Sequence, residues 1–365
     1  MRVVLPLVLL AASVTAQDAD PNRIFQQAVR AQQRGDFAAA VRDYRRLLKL
    51  HPDSAEVRIN LGAALVQLRQ FDEAIAQYQT VLKADSGNDA VRLNLALAFY
   101  KEQHFAEARE QLEIARKTKA DDLRIAILLA DCYGQLKQPE KAVELLLPFE
   151  SQALDNLDLA YVLGSALIQT GHRREGVARI EKVAQTGNSA DACLLAGSTF
   201  LDLDEIEKAR HYLEQALALN PKLPGIDRLT GVAREKDGDP AGAETLLRKA
   251  LSLDPNDFTA NLYLGAILYK DRKLDECRVY LERALRLDPS SSLARYEMAL
   301  LESSTGSPET AVQDLEKLTA ADPKWLEPHV RLAALYFRLH RSADGARERK
   351  IVEQLTAEQQ RQGPR

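Results

Sequence analysis

The sequence predicts an all-α solenoid built from antiparallel helix pairs, and three observations carry that reading. A 34-residue pattern recurs along the chain, each copy holds two helically spaced apolar stripes, and small residues recur at two fixed offsets inside it. The stretch Phe258–Ser291 shows the unit most clearly. Leu264, Gly265 and Leu268 lie at helical spacing in its first half, Cys277, Leu281 and Ala284 in its second, and Asp288-Pro289 closes it.

Residues 1–16, MRVVLPLVLLAASVTA, place one basic residue, Arg2, before an apolar run from Val3 to Ala12 and end in small residues ahead of Gln17. This pattern predicts a secretory signal peptide. The run is too short, and broken by Pro6, to cross a bilayer about 30 Å thick. The product is therefore expected to be exported, periplasmic or secreted, and soluble after cleavage, with no transmembrane segment. Residues 17–20 form a short linker, residues 21–355 ten tandem repeats, and residues 356–365 a polar C-terminal tail.

The repeats start at Pro21, Ala55, Asp89, Leu123, Leu157, Ala190, Pro224, Phe258, Ser292 and Leu326, and the unit from Leu157 to Ser189 alone has 33 residues. The eighth residue of every unit is small: Ala28, Gly62, Ala96, Ala130, Gly164, Gly197, Gly231, Gly265, Ala299 and Ala333. Glycine inside a helix costs up to about 1 kcal/mol relative to alanine, so its repeated use there implies close approach of the partner helix. The twentieth residue is Ala, Gly or Cys throughout the regular units, as at Ala40, Ala74, Gly176 and Cys277. Gly35-Asp36, Gly171-His172, Gly238-Asp239 and Gly306-Ser307 fall between the two helices of their units, where a left-handed residue ends one helix and a polar side chain caps the next. Pro148 is expected to shorten or bend the second helix of the fourth unit, with a change of curvature between about residues 148 and 190.

Small, small and large apolar residues at these offsets, closed by Asp-Pro or Asn-Pro, resemble the tetratricopeptide repeat over roughly residues 21–355. The resemblance implies a right-handed superhelix whose first helices line a concave face that binds extended peptides or helices of partner proteins. On this chain that face is expected to include Ile59, Asn60, Ala63, Leu93, Asn94, Leu97, Tyr100, Lys101, Ile127, Tyr161, Leu262, Tyr269, Tyr296 and Phe337, together with Phe25, Val29 and Leu194. Asn60 and Asn94 occupy the same place in consecutive units, where their amides could bond a peptide backbone in both directions or bridge adjacent helices. Family members that clamp a C-terminal carboxylate use Lys and Asn, then Asn, then Lys and Arg. The corresponding positions here hold Phe25 and Val29, Asn60, and Ala90 and Asn94, so that clamp is not assembled. Arg58, Arg92 and Asp227 stand where the family places a large apolar residue.

A charge balance of 49 basic to 53 acidic residues argues against nucleic acid as a partner. Residues 21–54 and 324–365 are each +4, while 55–323 carry 32 basic against 43 acidic groups. That asymmetry reads either as partner choice or self-contact, or as solvated outer faces. Cys132, Cys193 and Cys277 lie about two repeats or more apart, beyond the Cα separation of about 7 Å that a disulfide permits, and read as structural. The six histidines form no ligand motif, and Asp237-Gly238-Asp239 is an inter-helix turn, since Ala241 and Arg248 stand where a calcium loop needs oxygen ligands. Neither a phosphate-cradling glycine loop nor a nucleophile elbow occurs. The expected function is a non-catalytic scaffold for protein partners, without cofactor or metal. Its rivals are a dedicated subunit of an envelope assembly or polysaccharide export complex, with peripheral association, and an accessory chain of a glycosyltransferase-type enzyme.

Overall fold

The computed structural model describes residues 20–152 and 154–362, so the signal-peptide reading lies outside the described residues. Every regular element among them is helical, and the chain divides into two compact units, one ending at Gly171 and the other beginning at His172.

The first unit holds α1 (Pro21–Gln33), α2 (Phe37–Leu50), α3 (Ala55–Gln67), α4 (Phe71–Ala84), α5 (Asp89–Lys101), α6 (Phe105–Thr118), α7 (Leu123–Gln135), α8 (Pro139–Leu146) and α9 (Leu157–Gln169). Each helix packs on the next in antiparallel pairs, and first helices also touch directly, α3 on α5 and α7 on α9. One apolar core runs through the unit from Ile24 to Leu167. Pro148 has the expected effect: α8 stops after eight residues and passes into a 3-10 turn over Leu147–Gln152.

The second unit holds α10 (Arg173–Ala184), α11 (Ala190–Asp202), α12 (Ile206–Leu219), α13 (Ile226–Lys236), α14 (Pro240–Leu253), α15 (Phe258–Lys270), α16 (Leu274–Leu287), α17 (Ser292–Ser304), α18 (Pro308–Ala321), α19 (Leu326–Arg338) and α20 (Ser342–Gln362). Here α13 begins two residues after Pro224, because Gly225 takes a left-handed conformation at φ 73° and delays the helix.

Two local devices recur. The inter-helix turn has a left-handed residue at the same place in all ten repeats, with φ between 58° and 96°. Four are the glycines expected from the sequence; the others are Arg69, Gln103, Lys137, Asp204, Arg272 and His340. Most first helices are capped by a short polar side chain just before their first residue, as when Ser54, Asn88, Asn156, Ser189, Asp257 and Ser291 accept from the third helical N–H; α13 and α19, preceded by Gly225 and Trp325, have no such cap.

The small eighth residue is explained by its neighbour across the pair. A Cβ on Gly62 would stand 2.6 Å from the Tyr78 ring, and one on Gly197 would stand 2.5 Å from Leu213 Cγ and 3.0 Å from the Leu213 backbone nitrogen. The occupant of the space is thus the large residue sixteen positions on, not the small residue at the twentieth place. Both Tyr78 and Leu213 are buried.

Arg58 and Arg92, which replace apolar residues of the family pattern, act as hooks. Arg58 donates from Nη2 to the Pro52 carbonyl at 2.8 Å and from Nη1 to Gln77 at 2.7 Å. Arg92 does the same with the Ser86 carbonyl and Gln111. In the second unit Asn261, Arg295 and His329 bond the carbonyls of Pro255, Pro289 and Pro323, each six residues back. Each hook ties the start of a first helix to the loop that enters it, giving a carbonyl of that loop a hydrogen-bond partner. Asp227 differs, pairing with Lys249 at 2.7 Å.

The three cysteines are buried and unpaired in disulfides, as expected. Burial pushes the thiols of Cys132 and Cys277 up to about 12 and raises that of Cys193. Asp237 pairs with Arg210 at 2.6 Å and Asp239 caps α14 by accepting from the Gly242 N–H at 2.9 Å, which makes this segment a turn.

Candidate functional site

The first helices of the first unit present three rows of side chains, one residue per repeat. The fifth residue of each repeat gives an apolar row, Phe25, Ile59, Leu93, Ile127 and Tyr161, all half-buried. The ninth gives Val29, Ala63, Leu97, Asp131 and Ser165, of which Leu97 is 37% exposed. The thirteenth gives Gln33, Gln67, Lys101, Gln135 and Gln169, all exposed.

Two clefts open along these rows. The larger, about 530 Å³, lies between α1 and α3 and is lined by Val29, Gln33, Phe37, Asn60, Ala63 and Gln67 among others. Tyr44 forms part of its wall, donating to Gln32 Oε1 at 2.9 Å, and burial with the nearby Glu56 carboxylate raises its phenol to about 12. The smaller, about 270 Å³, lies between α7 and α9 and is lined by Asp131, Gln135, Tyr161, Val162, Ser165 and Gln169 among others.

Asn60 and Asn94 are half-buried, and their side-chain amides bond to no other described residue. Of the two roles open to them, bridging adjacent helices is absent among the described residues. Tyr100 differs from the expectation of a freely exposed groove residue. Its hydroxyl donates to the Asp131 carboxylate on α7, and its ring meets Phe105 edge-on at 5.5 Å. Burial first, and then the bond to the Asp131 carboxylate, raises its phenol. Lys101, one residue on, is exposed.

The residues expected from the second unit are less uniform. Leu262 and Tyr296 are 4% and 8% exposed, so they serve the core rather than a binding surface. Tyr296 is covered by Trp325, with ring centroids 5.3 Å apart. Tyr269 is half-buried and hydrogen-bonded to Ser304 at 3.0 Å, while Phe337 is 45% exposed. The thirteenth-residue row here is engaged within the protein. Asp202 pairs with Arg173, Lys236 with Asp204 at 3.3 Å and Lys270 with Glu235 at 2.6 Å, and Arg338 donates to the Ser303 carbonyl at 2.8 Å. In the first unit Gln33, Gln67 and Lys101 bond to no described residue. Gln135 and Gln169 reach only along their own helices, to Asp131 at 3.5 Å and Ser165 at 3.3 Å. Sequence reasoning had passed over this amide row and Asp131, although the recurrence of Gln at one offset in four of five consecutive units was there to be seen.

Among the described residues no group of three His, Cys, Asp or Glu side chains could hold a metal ion. No helix among them is long and apolar enough to cross a membrane.

The helix pairs and their spacing define an all-α helical repeat protein. Two family models of the tetratricopeptide repeat match the sequence, one over residues 25–89 and 194–258 and the other over residues 69–127 and 236–301, and the chain belongs to that family. Proteins of this family generally mediate protein–protein interaction and serve as non-catalytic scaffolds. Similar solved structures include YrrB, a tetratricopeptide repeat protein described as having an unusual peptide-binding site, which is 21% identical over 53% of this chain and 97% of that one, with a TM-score of 0.43. PilF of Pseudomonas aeruginosa is 21% identical over 55% and 92% of the two chains, with a TM-score of 0.47. A tetratricopeptide repeat protein of Parabacteroides merdae is 12% identical over 68% and 98%, with a TM-score of 0.45. At these identities the likeness is one of fold. No curated protein matches the sequence.

Proposed function

We propose that this chain is an exported interaction scaffold whose first-unit face, along α1, α3, α5, α7 and α9, holds a segment of a partner protein. The observation that carries this reading is the state of Asn60 and Asn94. Two amides one repeat apart stand beside an apolar row with no bond inside the protein, and each offers a donor and an acceptor to a passing backbone. Half-buried Ile59, Leu93 and Ile127 beside them supply the apolar contact that such recognition needs. Export rests on residues 1–16, whose basic start, apolar run and small-residue end suit a cleaved leader.

Affinity capture from envelope extract tests the reading, with the wild-type chain beside the double variant Asn60→Ala, Asn94→Ala. A partner set retained by the wild type and lost by the variant, at an unchanged unfolding midpoint, is expected. Identical capture by both would move the site off this face.

A further inference from the structure

Resting on the scaffold reading, we propose that the partner segment is a proline-rich stretch in the polyproline II conformation, about 13 residues long, with an acidic residue at its centre. Three features of the first unit point to it.

The first is period. Gln33, Gln67, Lys101, Gln135 and Gln169 form a ladder with one rung per repeat, on helices that pack on one another directly at α3–α5 and α7–α9. Packed helices lie about 8–10 Å apart. A polyproline II chain returns the same face every three residues, at a rise of about 3.1 Å each, or about 9 Å per turn. At the α3–α5 and α7–α9 steps it therefore meets successive rungs in the same orientation. A β-strand turns its side chains over at each residue, so residues three apart face opposite ways and alternate rungs would meet opposite faces. With the same step carried through the other two repeats, five rungs span four turns of polyproline II, which sets the proposed length.

The second is hydrogen bonding. A helical ligand satisfies its own backbone and would leave the amides idle. A polyproline II backbone has no internal hydrogen bonds, and where it is rich in proline it offers carbonyls and few N–H groups. The Gln ladder matches that need through its Nε2 donors, while Phe25, Ile59 and Tyr161 give the pyrrolidine rings an apolar bed. Clefts of about 530 and 270 Å³ lie between the first two rungs and the last two. The matching row of the second unit is closed by its own ion pairs, so the open ladder is a property of the first.

The third is charge. Lys101 is the cation in an otherwise neutral ladder; it stands at the middle rung, exposed and with no carboxylate partner. An acidic residue midway along the ligand complements it.

The test is fluorescence anisotropy of the purified chain with a labelled peptide of twelve prolines around a central glutamate. Controls are the same peptide with central lysine and a proline-free Thr/Val peptide of equal length with central glutamate. The glutamate peptide is expected to bind saturably, the lysine peptide at least about 5-fold more weakly, and Lys101→Glu to reverse that order. The quadruple variant Gln33→Ala, Gln67→Ala, Gln135→Ala, Gln169→Ala is expected to lose about 10-fold or more in affinity. Because these side chains are exposed, its unfolding curve should not move; if it does, the Lys101 reversal alone decides. No saturable binding of the proline peptide, equal binding of the Thr/Val peptide, or an unchanged order in Lys101→Glu would overturn the proposal. Partner capture lost on changing Asn60 and Asn94, with no proline-peptide binding, would leave the scaffold standing and remove only the polyproline ligand.

Discussion

The Tyr100 hydroxyl on α5 donates to the Asp131 carboxylate on α7, joining two consecutive first helices across a repeat boundary. Tyr100 is thus held by the fold before any partner arrives. Hydrogen bonds to charged groups contribute about 1.5–3 kcal/mol, and Asp131 keeps only a long contact to Gln135 when the hydroxyl is gone. Tyr100→Phe is expected to lower stability by about 1–2 kcal/mol in urea unfolding. An unchanged midpoint would mean that water replaces the hydroxyl without loss. Reading Tyr100 as a purely exposed contact predicts a binding defect alone; the bond to Asp131 predicts that stability and binding fall together.

Most of the fold was legible because a repeat reports each of its constraints many times. The small eighth residue, the proline at unit ends and the glycine of the inter-helix turn recur often enough that single exceptions do not hide them. What stayed hidden depends on contacts between side chains far apart in the sequence. Arg92 reads as a failed apolar position until its guanidinium is seen to reach the Ser86 carbonyl and Gln111. Tyr296 reads as a groove residue because its offset is right, yet Trp325, at the last place of the same unit where most units carry a small polar cap, packs against its ring. Offsets place a residue on a face, but whether that face is covered depends on a side chain distant in sequence. The left-handed turn residue shows a third kind of gap: four glycines announce it, while Arg69, Gln103, Lys137, Asp204, Arg272 and His340 adopt it under the constraint of the packed pair.

Those non-glycine turns store strain. A left-handed conformation costs about 1–2 kcal/mol for an ordinary residue, and glycine escapes it while giving back about 0.4–1 kcal/mol through unfolded-state entropy. Arg272, at φ 61° and exposed, isolates the effect. Arg272→Gly is expected to stabilise the chain by about 0.5–1 kcal/mol in denaturant unfolding. A loss of stability would show that the Arg272 side chain contributes more than its backbone costs.

Two helical glycines should respond in opposite directions to the same change. At Gly197 an added methyl meets Leu213 Cγ at 2.5 Å and its backbone nitrogen at 3.0 Å, so α11 and α12 must separate. At Gly134, within α7, nothing lies within 4 Å. Gly197→Ala is expected to cost about 1–3 kcal/mol, and Gly134→Ala to gain about 0.5–1 kcal/mol from helix propensity. Equal effects of the same sign would mean that propensity, rather than helix approach, set these positions.

The hooks are testable where burial is complete. Asn261 is wholly buried and donates from Nδ2 to the Pro255 carbonyl at 3.0 Å and the Asp257 carbonyl at 2.8 Å. Asn261→Ala removes a donor from the Pro255 carbonyl and leaves a void, so a loss of about 2–3 kcal/mol is expected in thermal or urea unfolding. A loss below about 0.5 kcal/mol would show that water reaches that carbonyl and that the hook is dispensable.

The buried thiols contribute to the loss of stability expected at alkaline pH. Unfolded cysteine ionises near 8.5, whereas burial lifts Cys132 and Cys277 to about 12 in the folded chain. The folded state therefore holds these protons more tightly than the unfolded state. Their contribution is complete below about pH 8.5 and is lost as pH rises from there towards 12. Stability should fall through that window, and the fall should lessen in the variant Cys132→Ala, Cys277→Ala, in which alanine fits the small offset at Cys277 that other repeats fill with Ala. Thiol titration at pH 8 checks the same burial from the other side. The native chain should react slowly, and denaturation without reductant should release three thiols, one for each cysteine. Fast reaction of the native chain would place the sulfurs at the surface, and one thiol on denaturation would mean that two of them had bridged.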